Sequence, residues 1–496
     1  MLNCLYGHMV RLSRSASLAF VLTGVVTAAP ALLSPDFSFV GIAHADDDDD
    51  GGDSSSGGGG NSSDNGGSNH SRKQDNKRLR GPKNLMDYLE KRRHVQVAPV
   101  RKSRAVQKRK QTTKPVIVAE PAYEPSRLVA LGLDAAAIEQ LQARGFSVAD
   151  RSPSSLTGKE LVRLQIPPRM TLETARREVS ELAPAAEVDF NHYYRPEQET
   201  VTPEPTNTPP ANKSACNGTD CTLMRHLIGW EQPQEIGNVC AGFPRIGLID
   251  TAVNPEHEAL KDAKIDIIRL SDGQLPQSGT QHGTAVAALL VGAENSRAPG
   301  LLPQAELVAV DVFHGTQNDT SRATTYDLVR AIDLLAEKQI PLINMSLTGP
   351  DNRLLKKAIE AAMQRHIVLV AAAGNEGPHA KPVYPAAYAG VIAVTAVDRD
   401  GNPYRRAVRG EHIDLAAPGV GVWTAASVSG ARQKTGTSFA APFVTAAAAK
   451  LKAQQPEMDH QQITQELTKQ AKDMGKPGHD PVYGWGLLNA QALCSS

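Results

Sequence analysis

Short apolar runs alternate with segments of helical periodicity over the last part of the chain, from about Cys221 to Ser496. Continuous apolar runs are typical of strands buried on both faces, and helices between such strands connect parallel neighbours. The pattern therefore predicts an α/β fold, a doubly wound parallel sheet with helices on both faces and functional residues beyond the carboxyl ends of its strands. The predicted strands are Arg245 to Ile249, Ile265 to Arg269, Glu306 to Val312, Pro341 to Met345, Ile367 to Ala372 and Val391 to Val397, and the predicted helices are Thr284 to Val291, Thr325 to Lys338, Arg353 to Arg365, Ser438 to Gln454 and His460 to Ala471.

A second pattern of elements lies between Ser126 and Pro196. Strand, helix, strand, strand, helix and strand follow one another there, and Asp134 and Thr171 are suited to cap the starts of the two helices. This order is that of a small α+β unit of the ferredoxin-like kind. Residues 197–220 then form a predicted linker that is rich in Pro and Thr.

The first 115 residues have the composition of an export leader followed by a low-complexity segment. A basic start, an uncharged stretch from Ala16 to Leu33 and the small-x-small sequence at residues 43–45 predict a signal peptide over residues 1–45. The alternative is a membrane anchor, for which that stretch is barely long and apolar enough. Residues 46–115, acidic and then basic, are predicted to be disordered. Their charge runs indicate a solvated segment, with weak binding to an anionic cell surface as the alternative.

Cysteine usage favours disulfides. Cys4 would leave with a cleaved signal peptide, so that Cys216, Cys221, Cys240 and Cys494 remain in an exported protein. Of the three connectivities, the short loop favours Cys216 with Cys221, which would pair Cys240 with Cys494. A zinc site is the alternative, but the paired Cys-x-x-Cys spacing of such sites is missing. No metal ligand is predicted.

Overall composition excludes some other classes of function. The formal net charge is zero and 21% of the residues are charged, so nothing indicates a nucleic-acid partner. No segment after the leader is a candidate for a membrane span. The protein is expected to be secreted or periplasmic and to have no membrane span once the signal peptide is removed.

Four polar residues stand at the ends of apolar segments, although each alone has an ordinary explanation. Asp250 ends an apolar run, where it could cap a turn, and His282 begins an apolar helix, where it could be a core histidine. Ser438 could be a helix N-cap, and Asn375 could be a turn residue. Together they supply a hydroxyl nucleophile, a base, an orienting carboxylate and an oxyanion donor, which are the groups that acyl transfer needs.

The motifs around these residues resemble those of the subtilisin family of serine proteases. They are I-D-T at Asp250, H-G-T at His282, A-A-A-G-N-E-G at Asn375 and G-T-S-F-A-A-P at Ser438. Their order of Asp, His and Ser is that of the family, and the separations of 32 and 156 residues between the three also suit it. The resemblance extends from about Trp230 to Leu493, and it implies a subtilisin-like catalytic domain over residues 221–496.

This resemblance implies a serine endopeptidase that acts on protein or peptide substrates. Ser438 would attack the peptide carbonyl, and His282 would take the hydroxyl proton and later give it to the leaving amine. Asp250 would orient the imidazole ring. Asn375 and the backbone N–H of Ser438 would hold the oxyanion.

In this family a unit such as residues 126–196 is often a propeptide that assists folding, inhibits the enzyme and is then removed. The resemblance therefore implies an intramolecular inhibitor and a cut between Tyr194 and Cys216, in a protein expected to be a monomer. A permanently attached accessory domain is the alternative. Two further alternatives are a non-catalytic binding module, although no expected catalytic residue is lost, and a protease that cuts only itself and then acts as a surface-displayed structural protein.

The sequence departs from the family in three places. Ala285 stands where a second His is usual in the family, at a position variable enough that the change does not threaten catalysis. The loop from Gly292 to Gly300 offers too few oxygen ligands to support the calcium that many relatives bind, so no cofactor is predicted and calcium is left as an unsupported alternative. Thr348 and Val383 replace glycines in the pocket for the side chain before the cut (P1), and they predict a preference for small or medium apolar residues there. By the resemblance, the substrate-binding residues are Ser346, Leu347, Thr348, Ala372, Gly374 and Val383.

Overall fold

The computed structural model describes residues 121–197, 219–230, 242–270, 275–315, 321–491 and 493, all within one unit of the chain, residues 111–496. The predicted signal peptide, the acidic and basic segment, most of the linker and the side chains of Cys216, Cys221, Cys240 and Cys494 lie outside the described residues. The two predicted disulfides therefore lie outside them too.

Residues 123–196 form a four-stranded antiparallel sheet that carries two helices. Its elements follow the predicted order: β1 (Tyr123–Leu131), α1 (Ala135–Ala143), β2 (Ser147–Pro153), β3 (Glu160–Gln165), α2 (Leu172–Leu182) and β4 (Glu187–Pro196). The strand order in space is β2-β3-β1-β4. Both predicted caps form, because the side chains of Asp134 and Thr171 accept hydrogen bonds from the N–H groups of Ala137 and Thr174. The apolar faces of both helices pack on the sheet around Leu128, Val162 and Val179.

The remaining chain alternates strands and helices as predicted. In chain order its elements are α3 (Thr219–Leu227), β5 (Ile246–Asp250), β6 (Ile265–Arg269), α4 (Gln281–Val291), β7 (Leu307–Asp311), β8 (His314–Gly315), β9 (Ser321–Thr324), α5 (Thr325–Glu337), β10 (Leu342–Met345), β11 (Leu347–Thr348), α6 (Arg353–Gln364), β12 (Val368–Ala372), β13 (Ile392–Val397), β14 (Leu415–Pro418), β15 (Val422–Ala425), β16 (Ala431–Lys434), α7 (Thr437–Gln454) and α8 (His460–Gln470).

A seven-stranded sheet in the order β14-β13-β12-β10-β5-β7-β6 organises this part of the chain, and all its strand pairs are parallel. Helices α4 and α7 cover one face and helices α5 and α6 the other, so two separate apolar layers enclose the sheet. The predicted strands lie within one or two residues of their observed bounds. Strand β14 is not among the predicted ones, because four residues that end in Pro418 give too short an apolar run.

Strand β4 joins the N-terminal sheet to the rest of the molecule. Beyond its pairing with β1, its last residues pair antiparallel with two short strands, first β9 and then β11. Tyr194 lies opposite Ala323, and Pro196 lies opposite Leu347. The end of β4 is therefore held by two short strands of the C-terminal part, one of which, β11, follows directly after strand β10 of the parallel sheet.

Polar side chains fix the N-terminal unit against helices α5 and α6. The Asp189 carboxylate accepts a hydrogen bond of 3.0 Å from the first N–H of α6, at Arg353, and Asn191 accepts one of 3.0 Å from Tyr326 in α5. Such contacts satisfy helix N–H groups that have no partner within the helix. Further along α5, the buried carboxylate of Asp333 accepts three hydrogen bonds, from the backbone and hydroxyl of Ser155 and from the N–H of Leu156.

Replacing Asp333 with Ala is expected to loosen the N-terminal unit, because it leaves the loop between β2 and β3 without its acceptor. Hydrogen bonds to a charged group contribute about 1.5–3 kcal/mol each, and they are not additive, so we expect a loss of about 3 kcal/mol. Urea unfolding of a full chain that carries Ser438→Ala, to remove the predicted nucleophile, measures this. The exposed Glu337 of the same helix provides the control variant, Glu337→Ala, and an equal loss there would contradict the assignment.

Candidate active site

Asp250 and His282 are joined by a short hydrogen bond at the carboxyl edge of the sheet. Asp250 is the last residue of the fully buried strand β5, and His282 is in the first turn of α4. The Nδ1 atom of His282 lies 2.7 Å from Oδ1 of Asp250, and both side chains are buried. The carboxylate therefore fixes the orientation of the imidazole ring and leaves Nε2 as the ring nitrogen that can accept a proton.

Helix α4 begins in direct contact with the chain that leaves β5. A Cβ atom added at Gly283 would collide with the carbonyl oxygens of Thr251 and Ala252, so only glycine allows this approach. The N–H of Gly283 donates to the Thr251 hydroxyl at 2.9 Å. The glycine of the H-G-T motif thus brings His282 within reach of Asp250.

Asp311, a second carboxylate that sequence reasoning did not identify, ends the neighbouring strand β7 directly opposite Asp250. It accepts hydrogen bonds from the Ser278 hydroxyl and from the N–H of Phe313, at 3.0 and 3.1 Å. Burial raises the pKa of Asp311 to about 6. The Ser278 hydroxyl also accepts a hydrogen bond from the N–H of Ala252. These bonds link Asp311 to the segment that runs from Asp250 to His282.

Ser438 and Asn375 meet at the N-terminus of helix α7. Ser438 is the second residue of α7 and is buried, and its Oγ makes no hydrogen bond within the described part of the chain. The Asn375 amide is oriented by the N–H of Thr437, which donates to Oδ1 at 3.1 Å. Its Nδ2 and the backbone N–H of Ser438 are consequently two donors that converge on one point beside a helix N-terminus, as an oxyanion requires.

The side chain of Glu197 occupies that point. Its Oε2 accepts hydrogen bonds from the N–H of Ser438 at 2.7 Å and from Nδ2 of Asn375 at 3.0 Å. The hydroxyl of Thr437 lies 2.7 Å from both carboxylate oxygens. Sequence reasoning assigned Glu197 to the linker, since nothing in the local sequence shows that the end of β4 reaches α7. It gave no role to Thr437, although this residue lies in the G-T-S-F-A-A-P motif.

Burial raises the pKa of Glu197 to about 7. The hydrogen bond from Thr437 opposes this shift, the nearby carboxylate of Glu376 adds to it, and the Ser438 N–H and the charge of His282 oppose it. Desolvation of the charged form thus outweighs the donors that stabilise it.

The pocket predicted for the P1 side chain is narrow. Gly374 has a φ of 106°, which favours glycine, and the space where its side chain would lie is bounded by Glu376, Val383 and Val408. The hydroxyl of Thr348 donates to Glu376 at 3.1 Å. Sequence reasoning identified Thr348 and Val383 but missed Glu376 and Val408. Both predicted replacements lie at this pocket, together with a carboxylate.

The other predicted substrate-binding residues line the same cleft. The hydroxyl of Ser346 donates to the carbonyl of Ser438 at 3.1 Å, and Leu347 pairs with Pro196. Ala372 ends strand β12 just before Gly374, whose N–H donates to the Thr437 hydroxyl at 3.0 Å. The end of β4 thus lies against Leu347 and Thr348, and Ser346 and Gly374 bond to the first residues of helix α7.

Tyr194 fills a second cavity along this cleft. Its ring is fully buried, and its hydroxyl donates to the carbonyl of Pro350 at 2.9 Å. A Cβ atom added at Gly349 would overlap the ring of Tyr194, so the absence of a side chain at residue 349 creates this cavity.

Over the residues that the structure describes, no group of three His, Cys, Asp or Glu side chains is arranged to hold a metal ion. Within the same residues, none of the helices has the length and apolar character to cross a membrane.

Comparisons with known proteins agree with the geometry. The sequence profile described as the subtilase family matches residues 244–486. Subtilisin DY of Bacillus licheniformis is 32% identical over 253 residues, which are 50% of this chain and 89% of that protein. Subtilisin BL of Lederbergia lenta is 34% identical over 218 residues, 44% of this chain and 78% of that protein. Fervidolysin of Fervidobacterium pennivorans, a keratinolytic enzyme related to subtilisin, superposes with a TM-score of 0.64 at 21% identity, over 75% of this chain and 61% of that one; this likeness concerns the fold alone.

Gly349→Ala is expected to displace the Tyr194 ring and to destabilise a full chain that carries Ser438→Ala by about 1–3 kcal/mol, the usual cost of overpacking. Tyr194→Ala in the same chain removes the ring, so the double variant should lose less stability than the two single variants together. Urea unfolding of the four chains gives the coupling energy. Additive losses would show that residue 349 does not shape the cavity.

Proposed function

The chain belongs to the subtilase family of serine endopeptidases, and on that premise we propose that it is an exported protease, made as a self-processing zymogen, with Asp250, His282 and Ser438 as its catalytic residues. The observation that carries the proposal is the cleft itself. The end of strand β4 lies along this cleft in the manner of a substrate. The Glu197 side chain that follows it accepts hydrogen bonds from the N–H of Ser438 and from Nδ2 of Asn375.

The short contact between His282 and Asp250 supports a conventional two-step acyl transfer. Ser438 Oγ forms a bond to the substrate carbonyl carbon while its proton passes to Nε2 of His282. The same proton then moves to the leaving amine as the peptide bond breaks, and an acyl ester of Ser438 remains. Water attacks this ester in the second step, again with His282 as base, and Ser438 regains its proton.

Stabilisation of the tetrahedral oxyanion is the proposed task of Asn375 and of the Ser438 N–H. Their hydrogen bonds to Glu197 indicate that the two donors are already directed at one negatively charged oxygen. Because these donors need no rearrangement during the reaction, they stabilise the developing charge more than water can.

The register of strand β4 against strand β11 supports one particular peptide bond as the site of self-cleavage. Arg195 lies opposite Thr348 and Pro196 lies opposite Leu347, so that Glu197 is the next residue along and the one beside Ser438. Proline suits its position because it has no N–H to donate to a strand partner. We therefore propose that the N-terminal unit, residues 123–197, is a propeptide that inhibits the enzyme and is released by a cut of the peptide bond after Glu197.

Export is the remaining part of the proposal. It rests on the predicted signal peptide over residues 1–45 and on the even number of cysteines that would follow it. The predicted pairs Cys216 with Cys221 and Cys240 with Cys494 are part of the same proposal, as is a monomeric mature enzyme that needs no cofactor.

Ser438→Ala tests the proposal. In the full chain it is expected to abolish both self-processing and the hydrolysis of casein, because it removes the proposed hydroxyl nucleophile. Mass spectrometry of the wild-type products should find one fragment that ends at Glu197. Gel electrophoresis follows the disappearance of the precursor, and Ser427→Ala, a change at a residue outside the site, serves as the control.

The outcomes separate the competing functions. Normal processing of the Ser438→Ala chain would show that the catalytic assignment is wrong. Processing that depends on Ser438, without hydrolysis of any added protein, would indicate a protein that cuts only itself and then has a structural or binding role.

The shape of the P1 pocket predicts which residue the enzyme prefers before the peptide bond that it cuts. Val383, Val408 and Glu376 limit the space beside Gly374, so we expect small or medium apolar P1 residues such as Ala, Val or Leu to give a higher kcat/KM than Phe or Tyr. Glu197 does not match this preference, but its attachment to the enzyme raises its effective concentration enough to compensate.

A panel of peptides that differ only at P1 measures this preference in the mature enzyme. Val383→Gly should increase the ratio of kcat/KM for the Phe peptide to that for the Ala peptide by about tenfold or more, since a pocket that admits a larger side chain gains about 1–3 kcal/mol of discrimination. Highest activity on Phe or Tyr in the unaltered enzyme would refute the interpretation of the pocket.

A further inference from the structure

We propose that the side chain of Glu197 is a latch, which delays the cut after Glu197 by filling the oxyanion hole that the reaction of this same residue needs. This inference rests on the proposed function, since it concerns the residue before the self-cleavage bond. Its basis is the position of the carboxylate, which accepts hydrogen bonds from the N–H of Ser438 and from Nδ2 of Asn375.

The two donors serve one oxygen atom at a time. For the bond after Glu197 to be cut, the backbone carbonyl oxygen of Glu197 must accept the hydrogen bonds that its side chain accepts in the structure. The carboxylate is buried and is also held by the Thr437 hydroxyl, 2.7 Å away. The Glu197 side chain therefore has to leave the oxyanion hole before the Glu197 carbonyl oxygen can enter it. Until then the precursor is inhibited.

The same geometry explains why the carboxylate does not lie in the P1 pocket. That pocket already contains the carboxylate of Glu376, which is held by Thr348. Two carboxylates in one confined space repel each other, whereas the hole offers hydrogen-bond donors to a carboxyl oxygen. For Glu197 the hole is the better of the two sites, and this makes the inhibited arrangement stable.

Release of the latch changes no covalent bond. Once the side chain has left, Ser438 Oγ bonds to the carbonyl carbon of Glu197 and its proton passes through His282 to the amine on the far side of the scissile bond. Water then frees the new carboxyl group of Glu197 from Ser438, so the net change is the hydrolysis of one peptide bond. The reaction needs no other reactant.

The latch should be stronger in acid than in base. Among the described residues, the charged or titratable groups that act on the docked Glu197 are Glu376 beyond strand β12 and His282 on α4, whose partner is Asp250. Burial raises the pKa of the docked side chain to about 7, whereas a released glutamate titrates near 4.5. The docked state therefore holds its proton more tightly, and the latch weakens as the pH rises from 4.5 to 7 and is constant above that range.

Self-processing of the full chain, made by cell-free synthesis and followed by gel electrophoresis and mass spectrometry, tests the latch. At pH 6, Glu197→Ala should mature at least about tenfold faster than the wild type, the effect of losing several hydrogen bonds of a buried carboxyl group at about 0.5–1.5 kcal/mol each. The ratio of these two rates should fall by about tenfold between pH 6 and pH 8. Glu197→Gln does not titrate, so its rate relative to Glu197→Ala should be equal at both pH values.

The direction of the pH effect separates the latch from a simple preference of the P1 pocket. Repulsion between Glu197 and Glu376 would increase with the charge of Glu197, so the ratio would rise with pH. A rising or constant ratio therefore overturns the proposal, as does a Glu197→Ala chain that matures no faster than the wild type. Glu173→Gln, which removes an exposed carboxylate of the same unit, is the matched control and should process at the wild-type rate.

A parallel Ser438→Ala chain keeps this test apart from that of the proposed function. If the precursor is consumed equally with and without Ser438, the proposed function fails. If processing depends on Ser438 but is insensitive to Glu197, the latch alone fails.

Discussion

The close packing of helix α4 against the chain that leaves strand β5 is the contact on which the site depends. Gly283 permits it, because any Cβ atom there would collide with the backbone of Thr251 and Ala252. The approach sets Nδ1 of His282 2.7 Å from Asp250, and it buries both side chains where neither could remain without the other. The buried strand, the glycine and the helix start are thus parts of one requirement, which is to orient an imidazole ring at the sheet edge.

Sequence alone could predict the elements that depend on local patterns. Buried parallel strands give continuous apolar runs, and helix starts give recognisable caps such as Asp134, so both appear close to their expected positions. Asp250, His282, Asn375 and Ser438 could be found because each lies in a short motif whose order and spacing are those of a known family. Strand β11, of two residues, and strand β14, which ends in Pro418, have no such pattern, since their pairing depends on neighbours that are distant in the chain.

The residues that sequence reasoning missed share a physical cause. Glu197, Thr437 and Glu376 acquire their partners only when three separate parts of the chain meet. The Thr437 hydroxyl contacts Glu197, which is 240 residues earlier in the sequence. A glutamate after a proline in a segment rich in Thr and Pro reads as part of a linker, and only the antiparallel pairing of β4 with β11 identifies it as part of the cleft.

The occupant of the donor pair also constrains how such a precursor can work. Donors that stabilise a tetrahedral oxyanion attract any other anion that reaches them, so an enzyme with a preorganised hole is open to inhibition by its own carboxylates.

A free carboxylate from solvent would lose its hydration on entering, and burial raises the pKa of Glu197 for the same reason. Attachment to strand β4 removes most of the entropic cost of bringing Glu197 there. An acidic residue at the end of a paired strand can therefore occupy the hole where a free carboxylate would not. In the proposed function the same attachment brings the carbonyl of Glu197 to Ser438, so that inhibition and cleavage would be alternative states of one residue.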